Sequence, residues 1–176
     1  MPTAGAIPRA LTEKASTATP LLITRRARLG DLDTVNALHR RCSLDTRFAR
    51  YATARRELKT SEWSHLVHPA AGSTWLTVLP HAPDTAVALT HLLKTRTAHT
   101  YELAILIEDG WQNQGLGSRL TAQALAEATA QGCRTLTASF GASNRRATAI
   151  MRRLGIPIPA PADGVIDISV RLPERS

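Results

Sequence analysis

Glu102 is the only charged side chain in the apolar run Tyr101–Ile107 (YELAILI), and a lone carboxyl in such a run has a chemical use. Burial would raise its pKa into the range of a proton acceptor at neutral pH. The alternatives are a place at the solvated end of the run, or an arginine partner. Ten residues further on, Gln112-Asn-Gln-Gly115-Leu-Gly117 sets two glycines between that run and one rich in alanine and leucine. A strand that turns directly into a helix exposes the helix's first N–H groups, which have no partner inside it. Together with the positive end of the helix dipole they attract phosphate oxygens. Glycine there lets a ligand approach the backbone. The stretch reads as a pyrophosphate cradle, although a GxG also serves as a plain tight connection. No Lys-Ser/Thr follows the second glycine, as a P-loop would need, and the third glycine of a dinucleotide fold is missing.

The elements that must position these groups follow from spacing. Leu21–Arg28 reads as a strand, and Asp31 as the N-cap of a helix that turns Leu32, Val35, Leu38 and Cys42 inward. A second helix is expected from Ser43 to about Leu58, with Leu44, Phe48 and Tyr51 on one face. Ser73–Leu79 and Thr85–Leu93 form a hairpin across Pro80–Pro83. Tyr101–Ile107 is a central strand covered on both faces. Leu116, Leu120, Ala124, Leu125 and Ala128 recur at helical spacing, and Gly132 ends that helix. Cys133–Phe140 is a strand. Ser143 caps a helix with Ala147, Ile150, Met151 and Leu154 as its stripe, and Val165–Leu172 alternates as a last strand. The order β-α-α-β-β-β-α-β-α-β describes an α/β fold, helices flanking a mixed sheet.

Gln112-Asn-Gln-Gly-Leu-Gly117, between its strand and its helix, resembles the Q/R-x-x-G-x-G/A signature of the GNAT superfamily of acyl-CoA-dependent N-acetyltransferases. Asn144-Arg-Arg-Ala147, followed by Leu154-Gly155, resembles the N-x-x-A…L-G-F helix that comes after the next strand in that family. The resemblance covers about residues 21–172. It implies a GNAT-like, largely antiparallel mixed sheet and acetyl-CoA as co-substrate. It places the pyrophosphate on the backbone of Gln112, Asn113, Gln114, Gly115, Leu116, Gly117 and Ser118, and Asn144 against the cofactor. The pantetheine arm would pair along Ile105, Leu106 and Ile107, with an N–H near Leu106 polarising the thioester carbonyl.

Transfer to an amine needs the amine neutral, and the resemblance makes Glu102 the catalytic base. Glu108 and Asp109 are expected to be solvated in the turn. Where many relatives carry a tyrosine that protonates the leaving thiolate, this chain has Met151. Water, Ser143 or Tyr101 would then supply the proton. The departure also keeps open a non-catalytic acyl-CoA-binding module. Ser43-Leu-Asp-Thr-Arg-Phe-Ala-Arg-Tyr51 resembles a segment of bacterial protein-lysine acetyltransferases in the superfamily. It implies a protein lysine as acceptor, with a small-molecule amine as the alternative.

The formal charge of +8 over 176 residues sits mainly in the first sixty, with 12 Lys+Arg against 5 Asp+Glu. That surplus suits an acidic or phosphorylated partner. Nucleic acid is the weakest reading, because aromatics make up 4% and no nucleic-acid-binding motif appears. Cys42 and Cys133 are expected as small buried hydrophobes, and the six histidines lack any compact metal-ligand spacing. Residues 1–20, mixed in Ala, Thr and Pro, read as a disordered leader ahead of one domain, 21–176. With no signal-peptide core and no long apolar run, a cytoplasmic location and no membrane span are expected. The oligomeric state is open, a homodimer included.

Overall fold

The computed structural model describes residues 21–173, so the expectation for the leader lies outside the described residues. The order is β1 (Ile23–Arg26), α1 (Leu32–Arg41), α2 (Leu44–Tyr51), α3 (Thr60–Leu66), β2 (Gly72–Leu79), β3 (Ala82–Lys94), β4 (Thr100–Ile107), α4 (Leu116–Ala130), β5 (Thr135–Gly141), α5 (Arg145–Arg153) and β6 (Val165–Arg171). The expected order is present with one short helix, α3, added to it. The six strands form one sheet in chain order, antiparallel throughout except where β4 runs parallel to β5.

Two cores follow from strand alternation. Leu76, Leu89 and Leu106 turn to the face of α1 and α3, where they meet Val35, Leu38, Leu58 and Trp63. Trp75, Tyr101, Leu103 and Leu136 turn to the other face and meet Ala124 and Ala128 of α4. On that same face Met151 of α5 packs with Phe140, Ile166 and Ile168. Both cysteines are buried and free. No helix of the described residues is long and apolar enough to cross a membrane.

Two local expectations change. The second helix stops at Tyr51, because Ala52 takes a left-handed φ of 53° and closes its N–H on the Phe48 carbonyl at 2.8 Å. Leu44 and Phe48 therefore do not line a core; they are 54% and 57% exposed on the outer side of α2. The chain then runs without regular structure to α3, where the Glu62 carboxylate accepts the Lys59 N–H at 3.1 Å. Trp63 anchors α3 with an indole N–H shared between the carbonyls of Arg28 and Leu29, at 3.1 and 3.0 Å. That anchor fixes α3 to the turn ahead of α1.

The sheet opens at its centre. β4 and β5 stay paired only from Thr100 opposite Thr135 to Glu102 opposite Thr137. Past Glu102, β5 continues with β6 alone, and β4 keeps only β3.

Candidate active site

The opening leaves backbone donors of β4 without a strand partner on one side. Glu108 donates to the Val87 carbonyl at 2.9 Å, and β3 pairs with β4 in unbroken register from Ala88 opposite Ile107. In an antiparallel ladder every second residue bonds the same neighbour, so the N–H groups of Ala104 and Leu106 turn to β3. Those of Ile105 and Ile107 turn to the open edge. The N–H of Leu106 is thus committed to the sheet, and those of its neighbours face the gap, so an N–H near Leu106 for the thioester carbonyl would come from Ile105 or Ile107.

At the end of that edge the chain turns into α4. The first bond along the helix runs from Arg119 N–H to the Gly115 carbonyl at 3.1 Å. The N–H groups of Leu116, Gly117 and Ser118 therefore have no partner within the helix, and no acidic residue occupies its first turn. The Ser118 hydroxyl and Gln112 Oε1 are buried there without a hydrogen bond. The three N–H groups and the Ser118 hydroxyl, all donors, suit anionic oxygens. The two glycines serve different ends. Gly115 has a φ of +81° and open space where a Cβ would stand, whereas a Cβ on Gly117 would lie 2.5 Å from Ile150 Cδ1. Gly117 thus lets α5 close on α4. Asn113 and Gln114 are exposed, Asn113 with a φ of 59°. Asn144, not Ser143, caps α5: its side-chain oxygen accepts the Ala147 N–H at 3.0 Å.

Glu108 and Asp109 are not free in solvent. Glu108 pairs with Arg41 at 3.1 Å. Asp109 accepts the Ser43 N–H at 2.8 Å, the Ser43 hydroxyl at 2.6 Å and the Thr46 hydroxyl at 2.9 Å. Partial burial alone would raise its pKa; the Ser43 and Thr46 bonds outweigh this and hold the carboxyl below its ordinary value. Gln112 Nε2 donates to Thr46 Oγ1 at 3.0 Å and to the Ile107 carbonyl at 2.8 Å. The glycine turn and the start of α2 are therefore one hydrogen-bonded unit.

Glu102 is exposed rather than buried in a central strand, and it is the last residue of β4 that pairs with β5. It makes no ion pair among the described residues, although its charge acts on Arg50. Leu93 stands opposite Glu102 and His91 opposite Ala104, so Glu102 and His91 are diagonal neighbours on one face. On that face a cavity of about 470 Å³ opens between α2, α3 and β3, walled by Arg50, Tyr51, Arg55, Glu62, His65 and His91 among others. Tyr101 lies on the opposite face in the α4 core, too far round the sheet to donate a proton here. Met151 is buried among apolar side chains.

Hydrogen bonds fix the histidine tautomers of this wall. Thr74 donates its one hydroxyl proton to the Leu66 carbonyl at 2.6 Å, so its 2.9 Å contact with His91 Nδ1 is an N–H donated by the ring. Nε2 of His91 is left as an acceptor. Burial, reinforced by Arg50, pushes the His91 pKa down to about 3, so the ring is neutral at pH 7. His39 Nδ1 donates to the Val35 carbonyl at 2.8 Å, and its Nε2 accepts the Tyr51 hydroxyl at 2.6 Å.

Tyr51, expected on one face of the second helix with Leu44 and Phe48, walls the cavity together with Arg50. Arg55, Glu62 and His65 were not singled out. Trp63, an apolar anchor among polar residues, was the available signal for α3 and hence for the cavity's far wall. No group of three or more His, Cys, Asp or Glu that could hold a metal occurs among the described residues.

Comparison with known proteins follows the same outline. The model of the acetyltransferase (GNAT) family matches residues 36–156. The GNAT domain of S. lividans PAT superposes with a TM-score of 0.74 at 18% identity, covering 85% of this chain and 89% of that one. The yncA putative acetyltransferase from Salmonella typhimurium, solved with its cofactor acetyl-CoA, gives 0.69 at 15% identity, covering 88% and 96%. Spermidine N-acetyltransferase from Vibrio cholerae, in complex with CoA and spermine, gives 0.66 at 16% identity, covering 85% and 95%. No curated protein matches the chain.

Proposed function

The chain belongs to the acetyltransferase (GNAT) family and is an acetyl-CoA-dependent N-acetyltransferase with an amine acceptor, and from that premise we propose that the acceptor is a protein lysine. The observation that carries the reading is a juxtaposition. The open edge of β4, Glu102 at the point where that edge begins, and the cavity walled by α2 share one end of the sheet. The Ser43–Tyr51 segment that resembles protein-lysine acetyltransferases is α2 itself, the cavity's wall.

In this reading acetyl-CoA supplies an activated acetyl group as a thioester. The free N–H groups of Leu116, Gly117 and Ser118 hold its pyrophosphate. Those of Ile105 and Ile107 pair with the pantetheine arm and bring the carbonyl to the edge. Asn144, at the start of α5, is held ready to meet the cofactor. The lysine enters through the cavity. Glu102, exposed beside it, takes a proton from the ammonium and passes it to solvent, and the neutral nitrogen attacks. With Met151 buried, water protonates the departing thiolate, which is a fair leaving group with a thiol pKa near 8.5.

A small-molecule amine is the second reading, favoured by the cavity's volume of about 470 Å³, enough to enclose such an acceptor whole. One experiment separates these readings. CoA release from acetyl-CoA is followed for wild type and Glu102→Gln with unfolded protein, lysine peptides and polyamines, with acetyl-CoA affinity measured in parallel. Turnover on peptides above polyamines, a loss of roughly 10²–10⁴-fold in the variant and retained cofactor binding are expected. Tight cofactor binding without turnover on any amine would replace the transferase mechanism with a binding module.

A further inference from the structure

The cavity contains an arginine whose donors have no use inside the protein. Arg50 Nε is sealed from solvent without a hydrogen bond, and no hydrogen bond or ion pair to any of its nitrogens occurs among the described residues. Its guanidinium carbon lies 4.6 Å from the Tyr51 ring centroid, a face contact that engages the charge but none of the five N–H groups. The neighbouring arginines differ. Arg25 is held by both carboxylate oxygens of Asp31 at 2.8 Å, Arg41 by Glu108 and the Ala86 carbonyl, and Arg55 by Glu62. Arg47 gives its protons to the Ser43 and Arg55 carbonyls. Arg50 alone of these is placed against the cavity with its donors unspent.

A half-buried guanidinium whose Nε is sealed from water without a partner is unfavourable unless an anion completes the group. The fork of Arg matches a carboxylate through two parallel N–H···O bonds. Glu102, whose charge acts on Arg50, makes no ion pair with it and stands exposed at the sheet's opening. His91 Nε2, on the same wall, offers an acceptor to an incoming N–H.

We propose that the cavity selects amines that carry a carboxylate, the anion seated on Arg50 while the nitrogen lies between His91 Nε2 and Glu102. The inference rests on the acetyl-transfer reading and deepens it by naming the acceptor's second group. For a protein acceptor the carboxylate is an acidic side chain beside the lysine; for a free amino acid it is the molecule's own.

The test compares acceptors that differ in that group alone: a lysine peptide flanked by Glu against Gln, and lysine against its decarboxylated analogue cadaverine. A preference of about ten- to a hundredfold in kcat/KM for the carboxylated member of at least one pair is expected, the size of a charge-assisted bidentate contact. The pair that shows it identifies the source. In Arg50→Gln that ratio falls towards one; should that variant misfold, Arg50→Lys, which keeps the charge and loses the fork, falls part of the way. Glutarate, a carboxylate without an amine, tests the subsite apart from catalysis. It should bind wild type more tightly than the variant in calorimetry. Binding of that kind with no amine acetylated would keep the anion subsite and remove the transfer reading. Equal rates within both pairs in wild type, or glutarate affinity that ignores Arg50, would overturn the proposal.

Discussion

Lowering the pH from 7 to 5 should cost the folded protein about 2 kcal/mol through His91 alone. The ring is 1% exposed, gives its one proton to Thr74 and stands at about 3 in the folded state against 6.5 when unfolded. The folded pKa is the lower of the two, so below pH 6.5 the unfolded chain takes up a proton that the folded chain refuses. Stability is therefore present above pH 6.5 and is lost as the pH falls, by up to about 1.4 kcal/mol per unit, until the folded ring also titrates. From pH 7 to 5 the integral is about 2 kcal/mol. His39, lowered by burial, acts in the same direction. The carboxyls held below their ordinary values, Asp31, Glu62 and Asp109, lose nearly all of their contribution below pH 4.5, the unfolded value of Glu62, and so add little to this window. Urea unfolding at pH 7, 6 and 5, for wild type and His91→Gln, isolates the ring, because the glutamine amide can still donate to Thr74. The variant should lose about 2 kcal/mol less than wild type over the interval. Parallel pH slopes would refute both the buried neutral ring and the tautomer that leaves Nε2 facing the acceptor.

Asp109→Asn should destabilise the protein by about 1–2 kcal/mol, measured by calorimetry, since a charged acceptor of three hydrogen bonds becomes a neutral one that keeps only some of them. It should also raise the acceptor KM more than it lowers kcat, by loosening α2. Gly115→Ala forces a side chain into a φ of +81° and should cost about 1 kcal/mol in urea unfolding, with weakened acetyl-CoA binding. Gly117→Ala meets the flexible end of Ile150 and should cost about 1–2 kcal/mol, most of it recovered when Ile150→Val is added.

The cofactor side was legible because local rules place it. A strand, a glycine turn and a helix N-terminus are consecutive in the chain, so Gly115, Gly117 and Ser118 could be found from spacing. The acceptor side was not, because its wall is assembled from α2, an irregular stretch and a helix only seven residues long. Leu44, Phe48 and Tyr51 have core spacing, but α2 ends early and turns the first two outward. Glu102 was found for its charge among apolar neighbours, yet it stands exposed where β5 departs, and no property of residues 101–107 reveals that departure. Arg50 is invisible to composition for a different reason: its distinction is a missing partner, and only the full set of neighbours shows that Arg41, Arg47 and Arg55 each have one.

The link between the two sides lies in Thr46. Its hydroxyl donates to Asp109 and accepts from Gln112, so one side chain on α2 is bonded to both ends of the segment that leads into the glycine turn. Ser43 closes the same ring, donating its hydroxyl to Asp109 while that oxygen accepts the Thr46 N–H at 3.2 Å as the cap of α2. A cofactor pyrophosphate drawn to Leu116–Ser118 would tighten this turn, and the turn cannot tighten without moving the start of α2. Arg50 and Tyr51 sit at the other end of that eight-residue helix and wall the cavity. A rigid helix carries the displacement across its length, so acetyl-CoA binding and acceptor binding should be energetically coupled, and linkage requires the coupling to be equal in both directions. Asp109→Asn breaks the ring at its shared acceptor. It should reduce that coupling more than either binding alone, which a double titration of acetyl-CoA and acceptor would read directly.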